Sequence, residues 1–270
     1  MKLNPLWVWL VLLIVQFAPV MGQELKELPV QSELTEDTLL VNGYLFERKI
    51  SNGDVQINVK SHGKVLENYS GIPGNSDDQT RSLNDVKVYK MFPGDRVQAI
   101  VMCSDGGKDG TGEYSILDLW PNDKVKALLD SDKYSLLGWP KVVDFNNDGT
   151  AEVIDYSSPF GQLDGPDHMF LHRIQIEKVF SFDSKKSVFV PSNNKFSSRF
   201  ESEVALAKGK AKKGNLNDVL ALSSIYWFAG KTKEGWDSFK KYYKGADSSQ
   251  LIEGITAILS KDAYVQEQLN

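Results

Sequence analysis

Between Asp144 and Glu152 the chain reads Asp-Phe-Asn-Asn-Asp-Gly-Thr-Ala-Glu. Side-chain oxygens stand at positions 1, 3, 5 and 9 of this stretch, and a glycine at position 6 lets the chain reverse. Alternating oxygens in a tight reversal suit a hard cation, because Ca²⁺ takes six to eight oxygen ligands from a compact loop. Asp144, Asn146 and Asp148 would supply side-chain oxygens, Thr150 a backbone carbonyl, and Glu152 a direct or water-mediated contact. The competing reading is a hairpin turn whose Asp, Asn and Gly serve turn geometry alone.

The flanks separate this loop from an EF-hand, which carries a bidentate Glu at position 12 and lies between helices. Position 12 here is Asp155. Lys141-Val142-Val143 before the loop and Val153-Ile154-Asp155-Tyr156 after it are rich in β-formers. The spacing therefore predicts a loop joining two antiparallel strands. The pattern formed by Asp144, Asn146, Asp148, Gly149 and Glu152 resembles the FG-GAP/VCBS repeats of integrin-type β-propellers and of many exported bacterial proteins. The resemblance spans roughly 20 of the 270 residues, without the family's multiple repeats. It implies a calcium loop between short strands.

A partial echo runs from Asp105 to Glu113, with carboxylates at positions 1, 5 and 9 and glycine at 6. Gly107 stands where a ligand is needed, so the stretch reads as a glycine loop or a decayed repeat. Strand-like runs flank it at Val97–Met102 and Tyr114–Trp120. The phosphate-binding pattern G-x-x-x-x-G-K-[ST] is absent.

Catalytic patterns are sparse. The histidines are His62, His168 and His172. The last two would share a helix face, but Phe170–Ile176 reads as a strand, on which residues four apart lie about 13 Å from each other. Neither H-E-x-x-H nor G-x-S-x-G occurs. Asp118 and Asp155 are candidates for a carboxylate-based hydrolase, which needs two acids at a defined separation. Trp120, Trp139 and Tyr156 border the β loops and would either stack on sugar rings or join the core.

The elements that must position these residues fall into two parts. From about 38 to 190 short apolar runs are punctuated by Gly, Asn and Asp, which predicts an antiparallel β domain, a sandwich or partial propeller-like sheets. Asn52-Gly53 precedes the alternating Val55, Ile57 and Val59, a hairpin signal. Val179–Phe182 and Ser187–Val190 bracket another. Gly71–Arg81 and Ser157–Asp167 read as polar loops, and Lys124–Leu136 as one short helix.

Over 197–270 the period becomes helical, predicting a small C-terminal helical domain. Val219, Leu222 and Tyr226, then Trp236, Phe239 and Tyr242, fit two amphipathic helices joined at Ala229-Gly230. Their order resembles one tetratricopeptide repeat, with Gly235 in place of the expected alanine. Leu251–Leu259 makes a further helix, and Lys208, Lys210, Lys212 and Lys213 read as a solvated helix face.

The first 22 residues combine Lys2, the apolar run Leu6–Val15 and small residues near Gly22, the pattern of a secretory signal cut before Gln23. Gln16 and Pro19 interrupt the run and oppose an uncleaved anchor. Residues 23–37 read as a linker, and no membrane span is expected after cleavage. Lys2 is the only charged residue of that segment, so removing it takes the formal net charge of −5 to −6. This acidity argues against nucleic acid or an anionic membrane as partner. Cys103, the lone cysteine, is expected to be buried in a strand and can form no intramolecular disulfide.

Three functional classes follow. One is an exported, periplasmic or extracellular, non-catalytic binding or scaffold protein with a structural calcium loop. Another is a carboxylate-based hydrolase of envelope or extracellular glycans. The third is an envelope-assembly adaptor docking through its helical tail. A protein or glycan partner would be met by that tail or by the β-domain loops.

Overall fold

A computed structural model describes residues 22–28, 38–51, 54–70, 86–104, 112–121, 124–136, 139–163, 171 and 174–269. Its strands are β1 (Gln23–Glu24), β2 (Thr38–Val41), β3 (Tyr44–Ser51), β4 (Asp54–Ser61), β5 (Lys64–Ser70), β6 (Val86–Tyr89), β7 (Val97–Ser104), β8 (Gly112–Trp120), β9 (Lys124–Asp130), β10 (Lys141–Asp144), β11 (Glu152–Ser157), β12 (Ile176–Asp183) and β13 (Val188–Pro191). A single helical turn, α1 (Ser131–Tyr134), follows β9, and 3₁₀ turns span Pro159–Leu163 and Asn193–Phe196. The chain ends in α2 (Ser197–Ala211), α3 (Leu216–Phe228), α4 (Thr232–Tyr242), α5 (Ser248–Lys261) and α6 (Ala263–Gln268). This is the expected antiparallel β-rich architecture followed by helices.

The strands form three open antiparallel sheets, β2-β3-β4-β5, β6-β7-β8-β9 and β1-β10-β11-β12-β13. Apart from β1, each is a four-stranded meander taken in chain order, the unit from which propeller blades are made. Two-residue turns set their registers. Asn42 and Gly43 (φ 50° and 84°) join β2 to β3, and His62 and Gly63 (φ 48° and 77°) join β4 to β5. Positive φ at both positions gives a turn whose twist matches the strands. Ser51 pairs with Asp54, so β3 and β4 form the expected hairpin, although Asn52 and Gly53 lie outside the described residues. The 105–111 segment, Gly71–Arg81, His168 and His172 also lie outside them, as does the side chain of Cys103.

The β6–β9 sheet is the middle layer and is apolar on both faces. Val101 and Leu119 pack with Phe46 and Val59 of the β2–β5 sheet. Ile100, Met102 and Ile116 turn the other way, into a core shared with Val153, Phe180 and the helices. Period-2 alternation sends successive residues to opposite faces. Fully burying one such large apolar side chain contributes roughly 1.5–3 kcal/mol.

Two expectations are corrected. Residues 124–130 are not helical; they are β9, paired with β8 from Ser115↔Asp130 to Trp120↔Lys124, and only Ser131–Tyr134 turns. Without β9 the backbone of β8 would present an unpaired edge, and that tertiary demand outweighs helix propensity. Of the strand expected over 170–176, the described residues Leu171, Ile174 and Gln175 are not in a strand and β12 begins at Ile176. Leu171 and Ile174 instead close a turn (Ile174 N–H to Leu171 O, 3.1 Å), which sends both apolar side chains into one core.

The helical part is seated on the β10–β13 sheet. Lys178 of β12 is fully buried and donates to the Tyr134 carbonyl (2.8 Å) and to Asp262 (3.2 Å). Asp262 also caps α6, accepting from the Tyr264 and Val265 amides. The Tyr264 hydroxyl donates to the Val179 carbonyl at 2.6 Å. At the expected α3–α4 hairpin, a Cβ on Gly235 would lie 2.3 Å from Trp227 Nε1. Position 235 is glycine because the indole occupies the space a side chain would need.

Candidate metal site in the 144–152 hairpin loop

The nine residues from Asp144 to Glu152 run from the end of β10 to the start of β11, which pair antiparallel with Val143 opposite Glu152. The strand–loop–strand arrangement is as expected. Two residues take left-handed backbone conformations, Asn147 (φ 57°) and Gly149 (φ 82°), and reverse the chain.

The polar side chains turn back onto the loop's own amides. The Asp144 carboxylate accepts from the N–H of Asp148 (3.2 Å) and of Gly149 (2.9 Å). Asn146 Oδ1 also accepts from Asp148 N–H (3.1 Å), while its Nδ2 donates to Asp148 Oδ2 (2.9 Å). Asp148 Oδ1 accepts from Thr150 N–H at 2.7 Å. Ala151 N–H donates out of the loop to the Met91 carbonyl (2.8 Å), tying the hairpin to the segment between β6 and β7.

Glu152 differs from the others. Its side chain is buried, and one carboxylate oxygen accepts from Phe145 N–H at 3.1 Å. Burial pushes the carboxyl up to about 7; the Phe145 amide opposes this, and the nearby Asp148 and Asp144 charges add to it.

The residues present fit a hard cation. An ionised carboxylate offers about four lone-pair positions, so Asp144 and Asp148 can each hold backbone amides and still accept a ligand bond. Bringing a positive ion to Glu152 would relieve the repulsion from its two acidic neighbours. Among the described residues no three His, Cys, Asp or Glu side chains form a ligand group by themselves. Asn146, the Thr150 carbonyl and water would have to complete the shell.

The other candidates are scattered. Asp118 is buried in β8, held by Arg96 (2.8 Å) and by the Gln98 amide (2.8 Å). Asp155 lies in β11, in a different sheet, accepts from the Tyr156 amide and helps push the buried Tyr114 hydroxyl well above its ordinary pKa. The aromatic faces have cationic neighbours: the Arg96 guanidinium lies 4.5 Å from the Trp120 ring centre and Lys87 lies 4.3 Å from that of Trp139. The Tyr156 hydroxyl donates to Glu177 (3.2 Å).

A cavity of about 300 Å³ lies between α2 and α3, lined by Phe200, Val204, Ile225, Tyr226 and Ala229 and rimmed by Lys208 and Lys231. Helical periodicity marked these helices without revealing the gap, which depends on how α2 crosses α3.

Comparison with family models, with curated proteins and with solved structures returns no match. No helix among the described residues is long and apolar enough to cross a membrane.

Proposed function

We propose that this is an exported, periplasmic or extracellular, non-catalytic binding or scaffold protein whose β10–β11 hairpin holds one structural calcium ion. The observation carrying this reading is the loop itself. Asp144, Asn146 and Asp148 gather their oxygens around the turn, while the buried Glu152 carboxyl lies close enough to Asp144 and Asp148 to be pushed up by their charge. Calcium would supply positive charge and a coordination centre there. The chain's own residues hold the loop's shape through the Asp144 and Asp148 amide bonds and anchor its base through Glu152 and Ala151.

The engagement of Asp118 by Arg96 and Gln98, in a different sheet from Asp155, favours a structural role for these acids over paired hydrolytic work. Calorimetric titration with calcium chloride tests the metal reading, with uptake of one ion expected. Absence of heat, with a melting temperature indifferent to calcium and chelator, would reduce the loop to an ordinary turn. Turnover of any member of a glycan and peptide panel would overturn the non-catalytic reading.

The α2–α3 cavity favours a second reading, an envelope-assembly adaptor whose helical tail docks a protein partner. Val204→Asp should then abolish capture of that partner while calcium binding is retained. Unchanged capture would remove the cavity from the docking surface.

A further inference from the structure

Sheet β1-β10-β11-β12-β13 contains one strand that its meander does not supply. β1 reaches it from the N-terminal end of the chain, with Gln23 opposite Asp144 and Glu24 opposite Val143. Leu25 N–H extends this pairing by donating to the Val142 carbonyl (2.8 Å), and Leu28 N–H donates to the Val88 carbonyl (2.8 Å) in the neighbouring sheet. The two leucines pack into different cores, Leu25 with the one beneath the helices and Leu28 with the one between the β2–β5 and β6–β9 sheets. The six residues 23–28 thus cross from one sheet to the next. Gln23 pairs with Asp144, the residue directly before Phe145 in the chain. Phe145 is the residue whose amide holds the Glu152 carboxylate.

We infer that residues 23–28 are a positioning strap for the 144–152 loop: by pairing with Asp144, Val143 and Val142, they fix the base from which the loop presents its oxygens. The inference rests on the calcium reading and adds to it a segment that ligand spacing does not mark. Without the strap, β10 is a four-residue edge strand held by β11 alone, with one side of its backbone unpaired. A loop whose first ligand sits on such an edge must be ordered as the ion binds, which weakens binding relative to a preorganised loop. The strap's backbone carries the effect, because Gln23 and Glu24 are exposed while their main chains are paired.

The test uses the full chain with Leu25→Pro, which removes the N–H bonded to Val142, and Leu28→Pro, which removes the one bonded to Val88. Leu25→Ile keeps both bond and apolar contact and serves as control. Hydrogen exchange followed by mass spectrometry reports strap release and loop order, and calcium chloride titration reports affinity. Strap release in the proline variants should speed exchange across 142–149 and weaken calcium binding about tenfold, the scale of lost preorganisation, with Leu25→Ile unchanged. Faster exchange at 23–28 with unaltered loop exchange and calcium affinity would overturn the inference. Should the unaltered chain bind no calcium, the calcium reading fails by itself. Loop exchange then decides the strap alone: faster exchange at 142–149 on strap release supports it, and unchanged exchange sinks it.

Discussion

Lys178 and the 144–152 loop belong to the same sheet, yet their charges are arranged in opposite ways. Lys178 is wholly enclosed, and its partners close around it: the Tyr134 carbonyl, the Asp262 carboxylate, and the rings of Phe228 and Tyr264 at 5.3 and 5.5 Å. Burial lowers its pKa, while Asp262 and then Asp155 act to raise it. The loop instead brings together Asp144, Asp148 and Glu152 and, among the described residues, answers them with amide N–H groups rather than an ion-paired cation. Charge neutralised from within marks a joint between elements. Charge left to dipoles marks a place where an ion from outside would change the energetics most.

The largest expected effect lies at the joint. Removing one member of a buried pair leaves the other charge unanswered and costs about 3–5 kcal/mol. Lys178→Ala and Asp262→Ala should therefore both lower stability steeply in urea denaturation. Asp262→Ala also strips the α6 cap, worth ~1 kcal/mol. Combining Lys178→Met with Asp262→Asn should recover much of the loss, because neither side chain then carries a buried charge. Stability of Lys178→Ala within experimental error of the unaltered chain would erase the contrast between joint and loop.

A smaller effect is expected where α3 meets α4. Placing Ala at Gly235 drives a methyl against the Trp227 indole, at 2.3 Å from Nε1 before relaxation. Overpacking of this sort costs ~1–3 kcal/mol. Gly235→Ala should lower the melting temperature without altering the calcium response, since the helical crossing and the loop lie in different parts of the fold. A shift in both would show that the regions are coupled.

The comparison also explains what could be read from the chain. The loop was legible because its oxygens, its glycine and its flanking β-formers lie within one short stretch, where spacing alone dictates the geometry. The same holds for the β12–β13 hairpin and for α3 and α4, whose apolar period is local. Lys178 gave no such signal: it sits between Glu177 and Val179 in a strand, and its hydrogen-bond partners Tyr134 and Asp262 lie 44 and 84 residues away. The segment 124–130 misled for a related reason, since its state is settled by the edge of β8 rather than by its own residues. Gln23 and Glu24 read as linker because two polar residues carry no pattern, yet their backbone completes a sheet.

On the proposed calcium reading, the response at the loop measures how incomplete the internal neutralisation is. An ion binding only the folded state adds about 2.7 kcal/mol at a hundredfold excess over Kd. Extracellular modules bind at roughly 0.1–1 mM, so millimolar calcium should deliver part of that gain. Chelation should lower the melting temperature, and Asp148→Ala should remove the calcium effect while the hairpin persists. Glu152→Ala should reduce it less if its contact runs through water. Equal responses in Asp148→Ala and the unaltered chain would take Asp148 out of the ligand set.

Glu152 also predicts a pH dependence in the absence of calcium. Its folded-state carboxyl titrates at about 7, against 4.5 ordinarily. The folded protein therefore holds a proton that the unfolded chain has released over that interval. Stability from this group is complete below about 4.5 and falls as pH rises through 7, since unfolding then allows a buried, crowded carboxylate to reach water. Calcium should flatten the decline, because the ion favours the ionised form and displaces the proton on binding. Glu152→Gln, which keeps an oxygen to accept the Phe145 amide but cannot ionise, should remove the slope between pH 5 and 7 that this residue contributes. Chemical denaturation at a series of pH values checks both. A slope identical in Glu152→Gln and the unaltered chain would show that Glu152 already carries its charge comfortably, and that Phe145 N–H compensates it much as Asp262 compensates Lys178.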